Sequence, residues 1–570
     1  MHHHHHHGGS GIRFSLRNKM SLMSGHLFII FLRTSLLFFS FIYASLAQSS
    51  EAQEAHQNSP RQFILSIGIS SFDSPFWKKL NYAYKDAEDI HHFFEGHTKY
   101  NRLLGQKEDK KGRVTRREIR DALRELRSRN THPDDTVLIY ISTQGSVERD
   151  HYGRLTGFLV TSDSQPQNIM NTALSNEEIF SWFRSMRSRK KILILDTGYA
   201  REGKSRIPLQ IEKSLSDKKA RPYFLPESTR VEGGAILSAA SWGEAATEDP
   251  FLKNSLYTHF LLQGFRNDKN GDGVVSISEA HCSAARQVLQ LSEARQHPTA
   301  TMELVEGRPI IVSGNPSRLH KARLISLSQQ NEKLRVLVNG KEAGTLARGS
   351  LDLPVGPLRV SLFDPDQKRE IASRHVFIRP GREYLAGDIL GRQQNNSLEI
   401  LPIFQRIHPT QDTYSYTKEA DILHGLRYRH YENDFGIVVS ALYLPEAYEK
   451  GPRNRAYRYQ TKRGYAWDIG FGGRLPLPSR LASLQNALIY TSGFTQSRIF
   501  REVGLFSLEK KKTTEDFPGG FLRAGLSSSL PDSSFSMSAE AEIALVRNAL
   551  TDSPSALIQE RLMIGLGFIW

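Results

Sequence analysis

The sequence predicts a multidomain chain: an α/β domain, then a small all-β sandwich, then a C-terminal antiparallel β-barrel of about eight strands. Three observations predict it. Continuous apolar runs alternate with helical periodicity between residues 60 and 312, short alternating segments with tight turns fill 320–392, and longer segments with two-residue alternation run from 415 to Trp570. At 570 residues the chain is also too long for a single core.

The N-terminus carries no fold information. Residues 1–19 read as tag and leader: His2 to His7 with Gly8, Gly9 and Ser10 form an expression tag, and Arg13, Arg17 and Lys19 a cationic start. Residues 20–47 read as a signal peptide, with an apolar run from Leu27 to Tyr43 and small residues at Ser45 and Ala47 for cleavage before Gln48. The alternative is an uncleaved anchor, which Arg33 and its polar neighbours disfavour by shortening the apolar halves. The expected destination is beyond the inner membrane.

Cys282 is the single cysteine, which excludes an intrachain disulfide and a thiolate metal cluster. The net charge of +15 is scattered. Its densest run, Lys107 to Arg129, interleaves Glu108, Asp109, Glu118, Asp121 and Glu125 as a solvated helix does, so no nucleic-acid partner is expected.

The α/β domain opens on Gln62-Phe-Ile-Leu-Ser-Ile-Gly68, an apolar run suited to a strand buried on both faces. Ala83, Ala87, Ile90 and Phe94 then recur at helical spacing, a second helix spans about Arg116 to Arg129, and Thr136–Ile141 and Lys191–Leu195 read as further buried strands. In such parallel sheets chemistry sits at the carboxyl ends of strands. Those ends read Ser142-Thr-Gln-Gly145 and Asp196-Thr-Gly-Tyr-Ala200.

On these motifs the domain resembles the caspase-like and metacaspase-like cysteine peptidases (peptidase C14 type). That family carries Ser-Gly-His-Gly with its catalytic histidine at the first strand end and Asp-Ser-Cys-His/Tyr with its nucleophile at the second. The segments Leu80–Ala87, Gly157–Asp163, Leu237–Glu248 and Leu256–Gly264 are similar to further family elements, in the family's order. The departures bear on function: Gln144 stands at the histidine position and Gly198 at the cysteine position, while Asp196 remains. Covalent peptidase catalysis needs a nucleophile and a base in hydrogen-bond reach, so the resemblance implies a pseudo-peptidase. One reading keeps a cleft lined by Gln144 and Gly198 that binds an extended peptide without cutting it. A rescue reading recruits Cys282 with His281 or His259, or Thr197 or Ser142 with an unidentified base.

Asp268-Lys-Asn270-Gly-Asp272-Gly273-Val274-Val-Ser276-Ile-Ser-Glu279 matches the twelve-residue EF-hand pattern. Asp268, Asn270, Asp272, Val274 through its carbonyl, Ser276 and Glu279 are the expected ligands, and calcium in a structural role the expected cofactor. The alternative is an ordinary Asp-, Asn- and Gly-rich turn.

In residues 320–392, Asn339-Gly340 within Leu334–Gly344 suits a type I′ hairpin, and Leu351–Phe363 with His375–Gly381 suggest a second strand pair. This segment resembles a PEGA-type β-sandwich, which implies a spacer or adhesion module.

In residues 415–570, Phe535, Met537, Ala539, Ala541, Ile543 and Leu545 alternate with Ser536, Ser538, Glu540, Glu542 and Ala544; similar patterns start at Tyr465 and Leu562. One face suits lipid, the other a narrow lumen in which Arg427, Arg429 and Arg474 meet Asp468, Glu540 and Glu542. Segments near 422, 434, 464, 484, 499, 519, 535 and 559 give about eight strands. The terminal Phe568-Ile-Trp570 resembles the aromatic signal of outer-membrane barrels. The alternative is a soluble sandwich, which alternates equally well but requires no aromatic belts.

Together these readings imply a non-catalytic scaffold or assembly factor: a caspase-like domain in the periplasm, a protein partner in the bacterial envelope, and a barrel embedded in outer-membrane lipid. The alternatives are a purely structural anchor subunit of a larger complex, and a residual cysteine-type peptidase or other hydrolase.

Overall fold

The computed structural model describes residues 61–570 apart from 97, 131, 213–220, 348, 390–394, 408–420, 433, 452–456, 480–483, 508, 531–533 and 548–555. The tag, leader and signal-peptide readings fall outside the described residues. No helix among the described residues is long and apolar enough to cross a membrane.

The α/β domain is built on a six-stranded sheet in the order Thr299–Glu303, Gly234–Ser238, Lys190–Asp196, Thr136–Ser142, Gln62–Gly68, Tyr100–Leu104. All neighbours are parallel except the edge strand Thr299–Glu303. Helices cover both faces, which is why the central strands read as continuous apolar runs. On one side Ile64, Leu138, Ile192 and Leu237 pack against helices Ala83–Phe93, Leu256–Arg266 and Ile277–Leu291. On the other, Leu65, Ile139, Leu193 and Ile236 pack against Arg116–Arg129 and Asn176–Ser185. Each such fully buried aliphatic side chain contributes about 1.5–3 kcal/mol. Three helices start on the same device: Thr115, Ser175 and Ser276 accept from the backbone N–H of Glu118, Glu178 and Glu279, as Ser/Thr-x-x-Glu starts do.

The sandwich packs a three-stranded sheet (Ser350–Leu353, Ala322–Ile325, Glu383–Leu385) on a four-stranded one (Lys341–Thr345, Arg335–Val338, Gly356–Asp364, Arg369–Ile378). Leu324, Val336, Leu346, Val360, Leu362 and Ile378 form its core. The expected hairpin is present, with Asn339 and Gly340 both at positive φ (52° and 83°), as a type I′ turn requires.

Eight antiparallel strands form a closed barrel: Asn396–Ile407, Asp421–Glu432, Phe435–Lys450, Tyr457–Leu477, Gln485–Leu505, Lys510–Leu530, Phe535–Arg547 and Ala556–Ile569, the last pairing back onto the first. The strand count matches the expectation, but by a different route. The segments expected near 484 and 499 are one strand, and Asn396–Ile407, ahead of residue 415, supplies the eighth.

Closure disposes of the soluble-sandwich alternative, and the exterior is apolar. Among the described residues, all but six of the exposed large hydrophobic side chains lie in the barrel. Leu566, Phe568 and Trp570 point outward while Met563 and Gln559 point in. Aromatic contacts occur toward both ends, with Tyr428 to Trp570 and Tyr465 to Phe500 each at 6.2 Å.

The interior is filled by charge. Arg427 and Arg429 reach Glu399 at 2.9 and 2.8 Å and both contact Glu540, as expected for that pair. Asp468 and Glu542 are met instead by Arg523 (2.5 and 2.9 Å) and Arg561 (3.5 and 3.4 Å). Arg474 does not join them; it pairs with Asp434 at 2.7 Å in the rim turn. That turn belongs to the barrel end where its first strand begins and its last strand ends, and the sandwich contacts this near end through His375 and Asp434.

Candidate functional site

Strands Thr136–Ser142 and Lys190–Asp196 run side by side with Ser142 opposite Asp196, so the two degenerate motifs emerge together at one edge of the sheet. They meet no open cleft. Gln144 is buried, and its Nε2 donates to the Lys78 carbonyl. Gly198 is buried as well, and a Cβ built there would lie 2.8 Å from the backbone nitrogen of Ala246. A Cβ on Gly145 would lie 2.0 Å from the Gly198 carbonyl oxygen, so the two loops are in backbone contact. The expected cleft between Gln144 and Gly198 is therefore closed.

What fills the space is Lys204, from the loop after the second strand. The loop folds back because Lys204 N donates to the Ala246 carbonyl at 2.8 Å, while the Lys204 carbonyl accepts from both Gly145 N (3.0 Å) and Gly198 N (3.1 Å). Backbone N–H groups beside a nucleophile are the donors a developing oxyanion needs; here both are taken. The Lys204 ammonium, fully buried, donates to Ser142 Oγ (2.6 Å), Ser255 Oγ (2.9 Å), the Asp196 carbonyl (2.7 Å) and Asp196 Oδ1 (3.0 Å).

A second buried carboxylate completes the network. Asp86, on the sheet-facing side of its helix, accepts from Ser255 N (2.8 Å), Asn254 Nδ2 (2.9 Å) and Ser142 Oγ (3.3 Å). Burial pushes its carboxyl up to about 7, with Lys204 pulling it down and Asp196 pushing it further up. Thr258 Oγ1 donates to Asp196, and the Tyr140 hydroxyl lies 2.5 Å from Thr258 Oγ1.

Serine and lysine in hydrogen-bond reach form a known nucleophile and base pair, but Ser142 has no exposed surface to offer a substrate and shares its ammonium with two aspartates' network. Thr197 is equally buried. The rescue dyad fails on geometry and on charge. Cys282 and His281 are neighbours on one helix and point apart. Cys282 Sγ donates to the Ser326 carbonyl at 3.1 Å, and burial pushes its thiol up to about 12. His281 is held against the Tyr257 hydroxyl at 2.6 Å, and burial pushes it down to about 3. His259 contacts Gln263 at 3.2 Å, on its own helix.

The Asp268–Glu279 loop is turned inward upon itself. Asp268 accepts from Gly271 N (3.1 Å) and Gly273 N (2.5 Å), Asp272 from Val274 N (3.0 Å), and Ser276 caps the following helix. Position twelve, Glu279, is taken by Arg323 of the sandwich at 2.5 Å; the same guanidinium lies 3.7 Å from Asp272 and 3.5 Å from Glu383. Burial, with Glu383 and Asp272 adding, lifts Glu279 to about 7 despite Arg323. Among the described residues no group of three or more His, Cys, Asp or Glu side chains is gathered to hold a metal ion. The donor set as arranged does not fit calcium, because a buried arginine already supplies the positive charge.

Lys204, Asp86, Ser255 and Arg323 were not legible as site residues. Asp86 alone gave a signal, a carboxylate set among Ala83, Ala87 and Ile90 on an apolar helix face.

The fold and this strand-end geometry define a caspase-like α/β domain joined through a small sandwich to a closed eight-stranded barrel. Residues 61–306 match the family model of the caspase domain (peptidase C14). A comparison with curated proteins finds no match. Among solved structures, pro-sf-caspase-1 is 11% identical over 43% of this chain and 89% of its own, with a TM-score of 0.30. Ail, the attachment invasion locus protein of Yersinia pestis, is 13% identical over 31% of this chain and 97% of its own, with a TM-score of 0.20. Neisserial surface protein A is 10% identical over 31% and 97%, with a TM-score of 0.22. These are likenesses of fold.

Proposed function

We propose that the chain is a pseudo-peptidase of the bacterial envelope, a non-catalytic scaffold or assembly factor for an envelope protein, carried on a barrel that spans the outer membrane. The single observation that carries the non-catalytic reading is Lys204, whose side chain and carbonyl occupy the space and the donors that a substrate and its oxyanion need. The membrane reading is supported by the apolar barrel exterior over a charge-filled, narrow interior. The near end faces the periplasm on this reading. It holds both ends of the barrel chain and short turns such as 433–434, whereas the opposite end has the longer connections 408–420 and 548–555. The α/β domain and the PEGA-like sandwich then hang on the periplasmic side. A protein partner is supported by the exposed Tyr152 and Tyr223, which flank Arg154 at 5.1 and 5.3 Å, the residue types that anchor interfaces.

The test is to reconstitute the full chain and offer it a mixed peptide library and an unfolded protein at neutral pH. No cleavage above a protein-free control is expected. Cleavage abolished by Ser142→Ala or by Cys282→Ala overturns the reading.

A further inference from the structure

The sheet of the α/β domain turns the N-terminal ends of its parallel strands toward the barrel. Strand Thr299–Glu303 finishes at that edge, where the Glu303 carbonyl accepts from Gly233 N at 2.8 Å and the Gly233 carbonyl from Lys191 N at 3.0 Å. Three residues on, Glu306 and Gly307 face Pro476, Leu477 and Leu484 of the barrel rim across a narrow cleft. Arg230, just ahead of strand Gly234–Ser238, lies 3.6 Å from Asp388 of the sandwich, which lines the same cleft. The edge is therefore held beside the near end of the barrel. Strand Lys190–Asp196 starts about 10 Å from Glu303, two strand spacings away.

Two helices end at this edge. Arg116–Arg129 and Asn176–Ser185 lie parallel on one face of the sheet, with Arg120 on Glu178 at 2.6 Å and the Arg127 guanidinium over the Trp182 ring at 4.5 Å. The loops that lead from them into the sheet are tied together: Asn130 Oδ1 accepts from Ser188 N at 2.9 Å, and the Pro133 carbonyl from Arg189 N at 2.8 Å. Arg127, Arg129, Arg184, Arg187 and Arg189 converge there, and all are exposed. The carboxylates around them face other cations. Glu125 is held by Arg102 at 2.6 Å, with Arg129 only at 3.9 Å; Asp135 is held by Arg61 at 3.3 Å, and Asp134 lies 3.8 Å from His132. Helix C-termini favour cations, which accounts for Arg127, Arg129 and Arg184 in the last turns. It does not account for Arg187 and Arg189, which lie past the end of their helix and still face solvent.

We propose that this arginine face rests on the periplasmic leaflet of the outer membrane and binds anionic phospholipid headgroups, so that the α/β domain lies against the membrane beside its own barrel. Clustered cations are drawn to an anionic leaflet within about one Debye length, roughly 10 Å, and the rim contact holds the edge at the membrane side. The leaflet rests on the membrane reading above; the excess of arginine does not.

The experiment uses the full chain in lipid nanodiscs, with a fluorophore on Ser185→Cys in a Cys282→Ala background. A headgroup-attached quencher is present at equal density in discs of phosphatidylcholine alone and in discs that also contain phosphatidylglycerol. Ser185 is exposed at the end of its helix, among the arginines. Quenching about twofold higher with phosphatidylglycerol is expected, and lost at about 1 M salt, where the screening length falls to about 3 Å. It is also expected to be lost when Arg184→Gln, Arg187→Gln and Arg189→Gln are combined; these side chains are exposed, so the near-ultraviolet circular dichroism of the parent is expected to remain. Lipid-dependent quenching that survives the combined substitution overturns the proposal. Equal quenching in the two lipids overturns it too, and a fluorescence shift on adding poly-glutamate would then assign the face to an acidic protein instead. Heat-modifiable migration of the same sample reads insertion of the barrel separately: its absence overturns the membrane reading and the proposal with it, whereas insertion without lipid-dependent quenching overturns the proposal alone.

Discussion

Replacing Lys204 by methionine removes one charge from the interior of the α/β domain while keeping most of the side chain's volume. Two buried carboxylates, Asp86 and Asp196, then face one another's network without an ammonium. Breaking a buried pair by removing one partner costs about 3–5 kcal/mol. For a domain of this size that lowers Tm by about 10 °C. The pH dependence carries the sign. Asp86 is raised to about 7 in the folded protein, so between about pH 4 and 7 the native state binds more protons than the unfolded chain, whose aspartates titrate near 3.9. Its contribution is full below that window and is lost as pH rises through the folded value. Removing Lys204 removes the one charge pulling Asp86 down, so in the variant the loss moves to higher pH and the deficit is smallest in mild acid. Near-ultraviolet melts of wild type and Lys204→Met in micelles across that range check both. A Tm within about 2 °C of wild type at every pH refutes the assignment of Lys204 as the internal counter-ion. Adding Asp196→Asn to Lys204→Met is expected to restore part of the loss, because the two residues share one interaction.

Gly198→Ala places a Cβ 2.8 Å from the Ala246 backbone nitrogen, and the strain is expected to cost about 1–3 kcal/mol in thermal or urea unfolding. Paired with Gln144→His, Gly198→Cys is expected to give a destabilised protein whose thiol a peptide-like electrophile fails to label. Arg323→Gln leaves Glu279, already lifted to about 7 by burial, without its guanidinium; a loss of about 3 kcal/mol is expected, and calcium is expected to raise Tm in this variant but not in wild type, read by paired melts with and without the ion. In the barrel, Arg523→Leu leaves Asp468 and Glu542 sharing Arg561, at 3.5 and 3.4 Å, and about 3 kcal/mol is expected to be lost in urea titrations followed by heat-modifiable gel migration. On the outer face, Leu566→Arg is expected to cost about 2–4 kcal/mol in lipid and little in a soluble barrel.

How far the sequence could be read follows from what burial does to pattern. The α/β domain was legible because strands covered by helices on both sides become unbroken apolar runs, as in Thr136–Ile141. Barrel strand Phe535–Arg547 was legible because its inner face carries Ser536, Ser538, Glu540 and Glu542 against an apolar exterior. Asn396–Ile407 was not, because its interior positions Leu401 and Ile403 are as apolar as its lipid-facing Ile400 and Phe404, which erases the alternation. Strand Gln485–Leu505 was split because the Thr491-Ser-Gly493 stretch interrupts its pattern. The site resisted for another reason. Arg201-Glu-Gly-Lys204-Ser-Arg206 has the composition of a solvated loop, and only the convergence of Ser142, Asp196 and Ser255 from distant segments turns its lysine inward. Arg323 is hidden in the same way, as a charge on a short strand two of whose partners, Asp272 and Glu279, lie in another domain.

The two interior spaces of this molecule are treated alike. The strand-end site is closed by Lys204 between Asp196 and Ser142, and the lumen by four arginines interleaved with four carboxylates, Glu399, Asp468, Glu540 and Glu542. Paired charges fill both spaces, which leaves the outer surfaces and the junctions as the open parts of the described molecule. There the sandwich holds both neighbours by charge, gripping the Glu279 loop of the α/β domain through Arg323 and the rim turn of the barrel through His375 and Asp434. Such contacts are directional, and breaking either exposes a charge that was paired while buried. A load on the α/β domain would therefore pass to the barrel rim through these two sandwich contacts.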